Sequence, residues 1–328
     1  MRNCLLLSLI GWCFLWIGCS EKKMVLESDR LPIADPYILL YEGTYYAYGT
    51  GGAVEDGLAC FSSTDLKKWK REGMALIPDN SFGTWGFWAP EVYYIASKKQ
   101  FYLFYSVEEH ICVATSDSPK GPFRQTVKKP IWEEKSIDTS LFIDDDGTPY
   151  LYFVRFTDGN VIWVAEMSDD LMALKEETLT ECIKAEESWE LAQDVPAKVA
   201  EGPSVLKQNG MYYLVYSCNH FKSQYYGVGY ATAHNPKGPW TKYEGNPILQ
   251  CADGLVGTGH GAPFRCKDNS WKYIFHAHWD SAKVQPRTSY LKEFLISVDG
   301  KVSIGGEIIK PEVWKETLSE DCKDAGHS

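Results

Sequence analysis

Positive charge is scarce in this sequence. Its 33 Lys and Arg stand against 44 Asp and Glu, a net charge of −11 over 328 residues. No basic cluster or interleaving of basic with aromatic residues occurs. Phosphate recognition rests on Lys and Arg, so a nucleic-acid partner is disfavoured and a neutral ligand fits better. GxSxG, a phosphate-binding loop and a dinucleotide fingerprint are all missing, which removes the common signatures of serine hydrolases and nucleotide-binding enzymes. The ten cysteines show no CxxC spacing. With Cys4, Cys13 and Cys19 set apart, seven remain, and no disulfide connectivity can be deduced. Cys60, Cys112 and Cys218 fall within apolar strand patterns and are expected as buried free thiols. The apolar run Leu5–Ile17 has signal-peptide length and is too short for a confident membrane span. It ends Trp16-Ile17-Gly18-Cys19, which resembles a bacterial lipobox with Trp16 where Leu is usual. The expectation is a signal peptide over 1–19 with a lipid anchor at Cys19, a polar tether over 20–29, and a place in a bacterial cell envelope, lipid-anchored or periplasmic. A plain signal peptide is the alternative.

Aromatic residues, by contrast, are abundant: 14% of the chain, with 20 Tyr and 12 Trp. They are not scattered. AEGPSVLKQNGMYYLVYS from Ala200, ADPYILLYEGTYYAYGT from Ala34 and IDTSLFIDDDGTPYLYF from Ile137 share one layout. An acidic residue opens an apolar run, a Gly-containing turn follows, and a Tyr-rich run closes it. WAPEVYYIASKKQFYLFYS and GHGAPFRCKDNSWKYIFHAH repeat the layout with the leading residue changed. Counting from Tyr45, Tyr102, Tyr150, Tyr212 and Lys272, the copies are 57, 48, 62 and 60 residues apart. A third apolar strand ending in a Ser/Asp/Pro/Gly turn follows each of the first four hairpins, as in CVATSDSPKGPF and GYATAHNPKGPW. Strand-rich units at such a period are the mark of propeller blades. The reading is all-β: a five-bladed β-propeller of four strands per blade, one domain over 30–310. Its units are expected at about 30–86, 87–131, 132–195, 196–252 and 253–310. The most helix-like piece, Asp169–Trp189, is expected as an insertion at the outer edge of the third unit. Residues 311–328 read as a polar tail.

The first strand of each blade lines a propeller's axis, so the residues opening those strands converge on one mouth. These are Asp35, the Ala89/Glu91 region, Asp138, Glu201 and His260. Each carboxylate alone has a local explanation as a turn or an exposed group. Three at the same repeat position gather like charges in one concave site, which raises pKa values and costs stability.

ADP, IDTSLFIDDDG and EGPSVLKQNGMYYLVYS, with WAPEVYY and GHGAPFR, resemble the motifs of glycoside hydrolase family 43 over about residues 30–300. The resemblance implies an enzyme: a five-bladed propeller performing inverting hydrolysis of arabinose- or xylose-containing plant polysaccharides such as arabinan or arabinoxylan. Carried over, Asp35 is the general base, Glu201 the general acid, and Asp138 the group that orients Glu201 and, ionised beside it, raises its pKa. Arg287 is expected to reach into the sugar pocket, with a surface ion pair as its alternative. Trp88 is a stacking wall or a core residue. His260 is a substrate-side or packed histidine, beside which the family allows an axial calcium ion; no cofactor is required. His276 and His278 lack further zinc-ligand spacing, and Asp144-Asp145-Asp146-Gly147 sits at a hairpin and lacks EF-hand spacing, so both are read as structural. α-L-Arabinofuranosidase activity is placed first, ahead of β-xylosidase, endo-arabinanase and galactan cleavage. A non-catalytic propeller that captures glycan at the cell surface is the reading from a different class.

Overall fold

A computed structural model describes residues 23–52 and 56–319; the signal-peptide and lipobox segment lies outside them. Strand β1 (Lys23–Arg30) precedes the blades. The first blade contains β2 (Ala34–Tyr41), β3 (Thr44–Thr50), β4 (Leu58–Ser63) and β5 (Lys68–Leu76). The second has β6 (Trp88–Ile95), β7 (Gln100–Val107) and β8 (His110–Ser116). The third has β9 (Ser136–Ile143), β10 (Pro149–Arg155), β11 (Val161–Glu166) and β12 (Thr180–Ile183). The fourth has β13 (Ala200–Gln208), β14 (Met211–Cys218), β15 (Gly227–Ala233) and β16 (Thr241–Lys242). The fifth has β17 (Gly259–Arg265), β18 (Trp271–Ala277), β19 (Thr288–Ile296) and β20 (Val302–Ile309), and β21 (Glu312–Ser319) ends the described chain. Each blade is an antiparallel meander, and the inner strands β2, β6, β9, β13 and β17 touch one another in a ring. The chain is a five-bladed β-propeller, as the repeat predicts.

The structure differs from the sequence reading at four places. The second blade has three strands rather than four; where a fourth would lie, only Arg124 bridges Thr115 of β8. Asp169–Trp189 forms no α-helix, only 3-10 turns at Glu176–Thr178 and Ser188–Glu190. Ser168 and Asp170 bind each other and the following turn, Leu171 is left-handed (φ 65°), and Thr180–Ile183 then pairs with β11. Short polar residues that bond their own backbone compete with helix, and the open edge of β11 supplies the alternative. The segment does lie at the blade's outer edge. The expected tether is strand from Lys23, and the expected tail begins with Glu312 and Val313 paired in parallel with Lys68 and Trp69 of β5. Val313 is buried in the apolar cluster shared by the first and fifth blades, removing its side chain from water. Residues 28–314 form one compact unit; in the other, the described residues 23–27 and 315–319 are strand.

Five apolar clusters fill the five seams between blades. The aromatic runs of the second strands feed them from both faces, as a strand buried on two sides must. Tyrosine suits the task because its ring packs while its hydroxyl spans the seam. Tyr152 donates to Pro236 O at 2.5 Å, and Tyr48 likewise reaches Pro119 O, each in a Pro-Lys-Gly-Pro turn of the next blade. The seam between fifth and first blades closes the ring. There Leu31, Ile33 and Ile38 pack with Phe264, Ile274 and Leu291, and Ser289 Oγ donates to Ile33 O at 2.8 Å. Cys60, Cys112 and Cys218 are buried free thiols, as expected.

Every inner strand opens with the same defect. The ladder to the second strand skips at Asp35–Pro36, Ala89–Pro90, Asp138–Thr139, Gly202–Pro203 and His260–Gly261. The first residue of each bulge is left-handed, with φ of 48°, 45°, 57°, 58° and 38°. A β-bulge re-aims a side chain and frees its backbone N–H from the ladder. Proline, which has no N–H to leave unpaired, follows three of the five. The freed N–H of the first residue is met across the seam. Asp35 N–H donates to His276 Nδ1 (3.1 Å), Ala89 N–H to Thr50 Oγ1 (2.9 Å), Asp138 N–H to Ser106 Oγ (2.9 Å) and His260 N–H to Ser217 Oγ (2.8 Å). All four acceptors lie near the end of the second strand of the preceding blade, or in the fifth blade for Asp35.

Leu291 sits fully buried in the closing seam, so Leu291→Ala should cost about 3 kcal/mol of stability, while Val298→Ala, at a fully exposed position, should stay within about 0.5 kcal/mol. Denaturant midpoints of the two variants check this; equal effects would show that the seam is not what holds the ring.

Candidate active site

The bulges aim Asp35, Asp138 and His260 at the axis from three blades, while Ala89 contributes only a methyl group. Around the axis these residues, with Pro36, Tyr37, Glu91, Thr139, Gly202, Pro203 and Gly261, wall one chamber; Tyr93 OH donates to the Glu91 carboxyl, and burial pushes that group's pKa up to about 8. The fourth blade departs from the pattern. Its bulge residue is Gly202, not Glu201, and a Cβ there would lie 2.8 Å from the His260 ring. No side chain fits, so this blade presents its carboxylate from one residue earlier. Glu201 therefore corresponds to Ala34, Trp88, Ile137 and Gly259 in the other blades, a phase shift that the repeat reading does not include.

The three carboxyl groups are only 9%, 6% and 9% exposed for Asp35, Asp138 and Glu201, yet their partners differ. Arg287 NH1 donates to Asp35 Oδ1 at 2.9 Å and NH2 to Oδ2 at 3.4 Å. The Nδ1 atoms of His260 and His276 each lie 3.3 Å from Asp35 Oδ1. Burial alone would raise the Asp35 pKa, but the Arg287 guanidinium holds it well below the usual carboxylate range. Glu201 faces no cation at hydrogen-bond distance. Tyr226 OH donates to its Oε1 and Asn160 Nδ2 to its Oε2, each at 2.9 Å. Burial pushes its pKa up to about 7, with the charge of Asp35 adding to the rise and the two hydrogen bonds opposing it. Asp138 receives the Gly202 N–H on Oδ2 at 3.4 Å and lies 3.8 Å from His260 Nδ1. Burial first, then the charges of Glu201 and Asp35, carry its pKa well above the ordinary value. The expectation that an ionised Asp138 raises Glu201 is thus modified: both members of the pair are raised, and the pair holds protons jointly. Beside the Asp35 carboxylate, which stays ionised, stands a pair that keeps its protons to higher pH than ordinary carboxyl groups.

The other expected residues fall in several places. Arg287 is buried against Asp35 rather than on the surface, and its Nε has no partner. His260 lines the chamber, its backbone N–H tied to Ser217 and its Nδ1 3.3 Å from Asp35 Oδ1, and burial lowers its pKa. Trp88 is half-buried at the position Glu201 holds in its own blade, and packs edge-on against Trp85, which is 57% exposed. His276 and His278 do not form a pair; His276 binds the Asp35 N–H while His278 Nε2 contacts Phe221 O. Asp144–Gly147 is a hairpin turn, closed by Gly147 N–H to Asp144 O, and Asp144 is held by Lys207 and Tyr212. Asn160, Tyr226 and His276 are the site residues that sequence reasoning missed or misread. They follow or end second strands, where no recurring motif marks them.

Among the described residues one cluster, Asp138, Glu201 and His260, brings donor atoms within 4.8 Å of one another. Calcium takes about six to eight oxygen ligands. Here two carboxyl groups and one imidazole nitrogen are available, both Glu201 oxygens are engaged, and both carboxyl groups favour their protonated forms. That donor set does not fit a calcium cage, and no chemical step is derived through an ion.

The profile of glycosyl hydrolases family 43 matches residues 30–302. A crystal structure described as an endo-1,4-β-xylanase from Bacteroides thetaiotaomicron is 70% identical, with TM-score 0.87 over 89% of this chain and 100% of that one. A β-D-galactofuranosidase of Aspergillus niger is 27% identical over 75% of this chain and 74% of its own length. An arabinoxylan arabinofuranohydrolase of Paenibacillus polymyxa is 26% identical over 82% of this chain, which spans about half (49%) of that protein's length.

Folding raises the Glu201 carboxyl from 4.5 to about 7. Between those values the unfolded chain gives up the proton and the folded chain keeps it, so this group makes stability fall as pH rises through the window, then level off. Glu201→Gln removes the effect. Its stability should exceed wild type by about 2 kcal/mol at pH 8, and the gain should vanish near pH 4. Thermal melts across this range check it; a difference independent of pH would reject a raised Glu201.

Proposed function

Since the chain belongs to glycosyl hydrolases family 43 and is a glycoside hydrolase, we propose that it cleaves pentose linkages of plant polysaccharide with inversion, α-L-arabinofuranosides of arabinan or arabinoxylan first among them. The observation that carries this reading is the split in protonation within one chamber: Asp35 ionised beside Arg287, Glu201 protonated by burial. Asp35 takes a proton from water as the water oxygen attacks the anomeric carbon, and Glu201 gives its proton to the departing glycosidic oxygen. Asp138 orients the acid and shares its proton. Arg287, held against Asp35, is the cation at the sugar's side of the base, with His260 beside it and Trp88 a wall at the mouth. A five-membered ring is favoured because two relatives are named for furanoside substrates. The deep recession of all three carboxyl groups suits a single terminal or branching sugar. Cleavage within xylan is the second reading, favoured by the description of the 70%-identical structure. The capture-only alternative has no use for an acid and a base held in opposite states. Export and lipidation at Cys19 complete the proposal, on the strength of the sequence WIGCS.

Asp35→Asn should lower kcat/KM by about 10²–10⁴-fold on every substrate, and Glu201→Gln by as much on oligosaccharides but far less on nitrophenyl glycosides, whose leaving group needs little protonation. Asp138→Asn takes away the charge against which the pair's last proton must leave, so the alkaline limb of the pH profile should move to lower pH. Rates on 4-nitrophenyl arabinofuranoside, the xyloside, arabinoxylan and xylan rank the two readings. The anomer first released, observed by proton NMR, tests inversion. Folded Asp35→Asn and Glu201→Gln variants with wild-type rates would end this assignment.

Cys19→Ala should release the protein from the membrane fraction or block its processing. A wild-type protein recovered wholly soluble, with an unmodified N-terminus, would refute the anchor.

A further inference from the structure

The seam that supports the acid pair is the one seam whose cap is missing. Four bulge N–H groups are met by Thr50, Ser106, Ser217 and His276 of neighbouring second strands. In the ladders Thr50 stands opposite Ala34, Ser217 opposite Glu201 and Ser106 opposite Trp88, while His276 stands opposite Gly259. The corresponding residue of the third blade, opposite Ile137, is Val154. Its side chain is fully buried in the seam between third and fourth blades and has no acceptor. The N–H it leaves uncapped belongs to Gly202, and this N–H goes to Asp138 Oδ2.

We propose that Val154 is a positioning residue of the acid pair: by withholding a hydroxyl from the Gly202 N–H, it sends that donor to the Asp138 carboxyl group beside Glu201. This rests on the reading of Asp138 and Glu201 as the acid and its partner. A buried carboxyl without a donor would swing or hold its proton too tightly, and one N–H both fixes its orientation and favours its ionised form. Asp138 Oδ2 is otherwise 3.8 Å from His260 Nδ1, too long for a hydrogen bond. The other charged and titratable groups facing the pair are Asp35, Arg287, Tyr226, Glu91 of the second blade across the chamber and, behind Asp35, His276. None of them donates to Asp138. Asp138's own N–H is tied to Ser106, so the residue is pinned at both ends, by the second blade at its backbone and by the fourth at its carboxyl.

Val154→Thr tests the idea because it adds an acceptor with almost no change of volume. In the variant the Gly202 N–H should turn to the new hydroxyl, as the Ala89 N–H does to Thr50. Losing a donor that favours ionisation, the pair should keep its proton to higher pH, moving the alkaline limb of kcat/KM up by about half a pH unit. Val154→Ala shrinks the same side chain without supplying an acceptor; it should lower the melting temperature and leave the limb in place. A second measurement does not need activity. In protein labelled with ¹⁵N-glycine, the Gly202 amide shift should titrate with the pair in wild type and stop titrating in Val154→Thr. Val154→Ser, with the same acceptor and less bulk, serves if the Thr variant fails to fold. A folded Val154→Thr or Val154→Ser variant with an unmoved limb and an amide that still titrates would overturn the proposal. So would a limb moved equally by Val154→Ala. If Asp138→Asn shifts the limb while these variants do not, only the Val154 role falls; if Asp138→Asn and Glu201→Gln are both silent, the acid-pair reading itself has failed.

Discussion

The structure turns on a backbone defect repeated five times: a left-handed residue at the mouth end of each inner strand. Four of the five are not glycine, and a side chain in that conformation costs about 1–2 kcal/mol. The defect persists because it is held from outside its own blade. Apolar clusters fill the seams on either side, and a side chain of the adjoining blade receives the freed N–H. What the strain achieves is direction. An inner-strand residue in ordinary extended geometry would alternate faces, whereas the bulge turns Asp35, Asp138 and His260 together toward the axis. Ring closure and site assembly are therefore one event.

Within that ring, chemistry depends on an uneven distribution of partners rather than on which acids are present. Burial raises the pKa of all three carboxyl groups. One guanidinium decides between them. Arg287 binds Asp35 in bidentate fashion across 252 residues of sequence, and arginine does not give up its charge. Glu201, held by a phenol and an amide, receives hydrogen bonds without compensating charge. The two imidazoles complete the contrast: burial favours their neutral forms, so they flank Asp35 without adding a second fixed cation that would ionise the pair as well.

The exceptions to the repeat coincide with the specialised positions. Gly202 gives up its side chain because His260 occupies the space, and Glu201 takes over from one residue earlier. Val154 stands where the other blades have a Ser, Thr or His. The second blade, with Ala89 at its bulge, brings no polar group to the chamber at that position, but Trp88 occupies the place of Glu201. Five equal blades would form a symmetric ring with no distinct faces for base, acid and sugar. Departures at particular seams break that symmetry.

A family resemblance singled out the three carboxylates and Arg287, while the sequence by itself determined the blade count, the hairpin of each unit with the third strand of the first four, and the turn at Asp144–Gly147. These follow from local rules: alternation along a strand, turn chemistry at Gly and Asp, and recurrence at a period that places equivalent residues at one mouth. Only the tertiary structure decided the phase of Glu201, the roles of Asn160, Tyr226 and His276, and the strand pairing of Glu312–Val313. It also decided that Asp169–Trp189 would supply an edge strand instead of a helix, and that Asp138 would be raised along with Glu201. Each of these depends on a partner in another blade, or on an unpaired sheet edge, at a sequence distance that no local pattern encodes. A hydrogen bond or an ion pair carries no periodicity, so its far end becomes known only when the ring is closed.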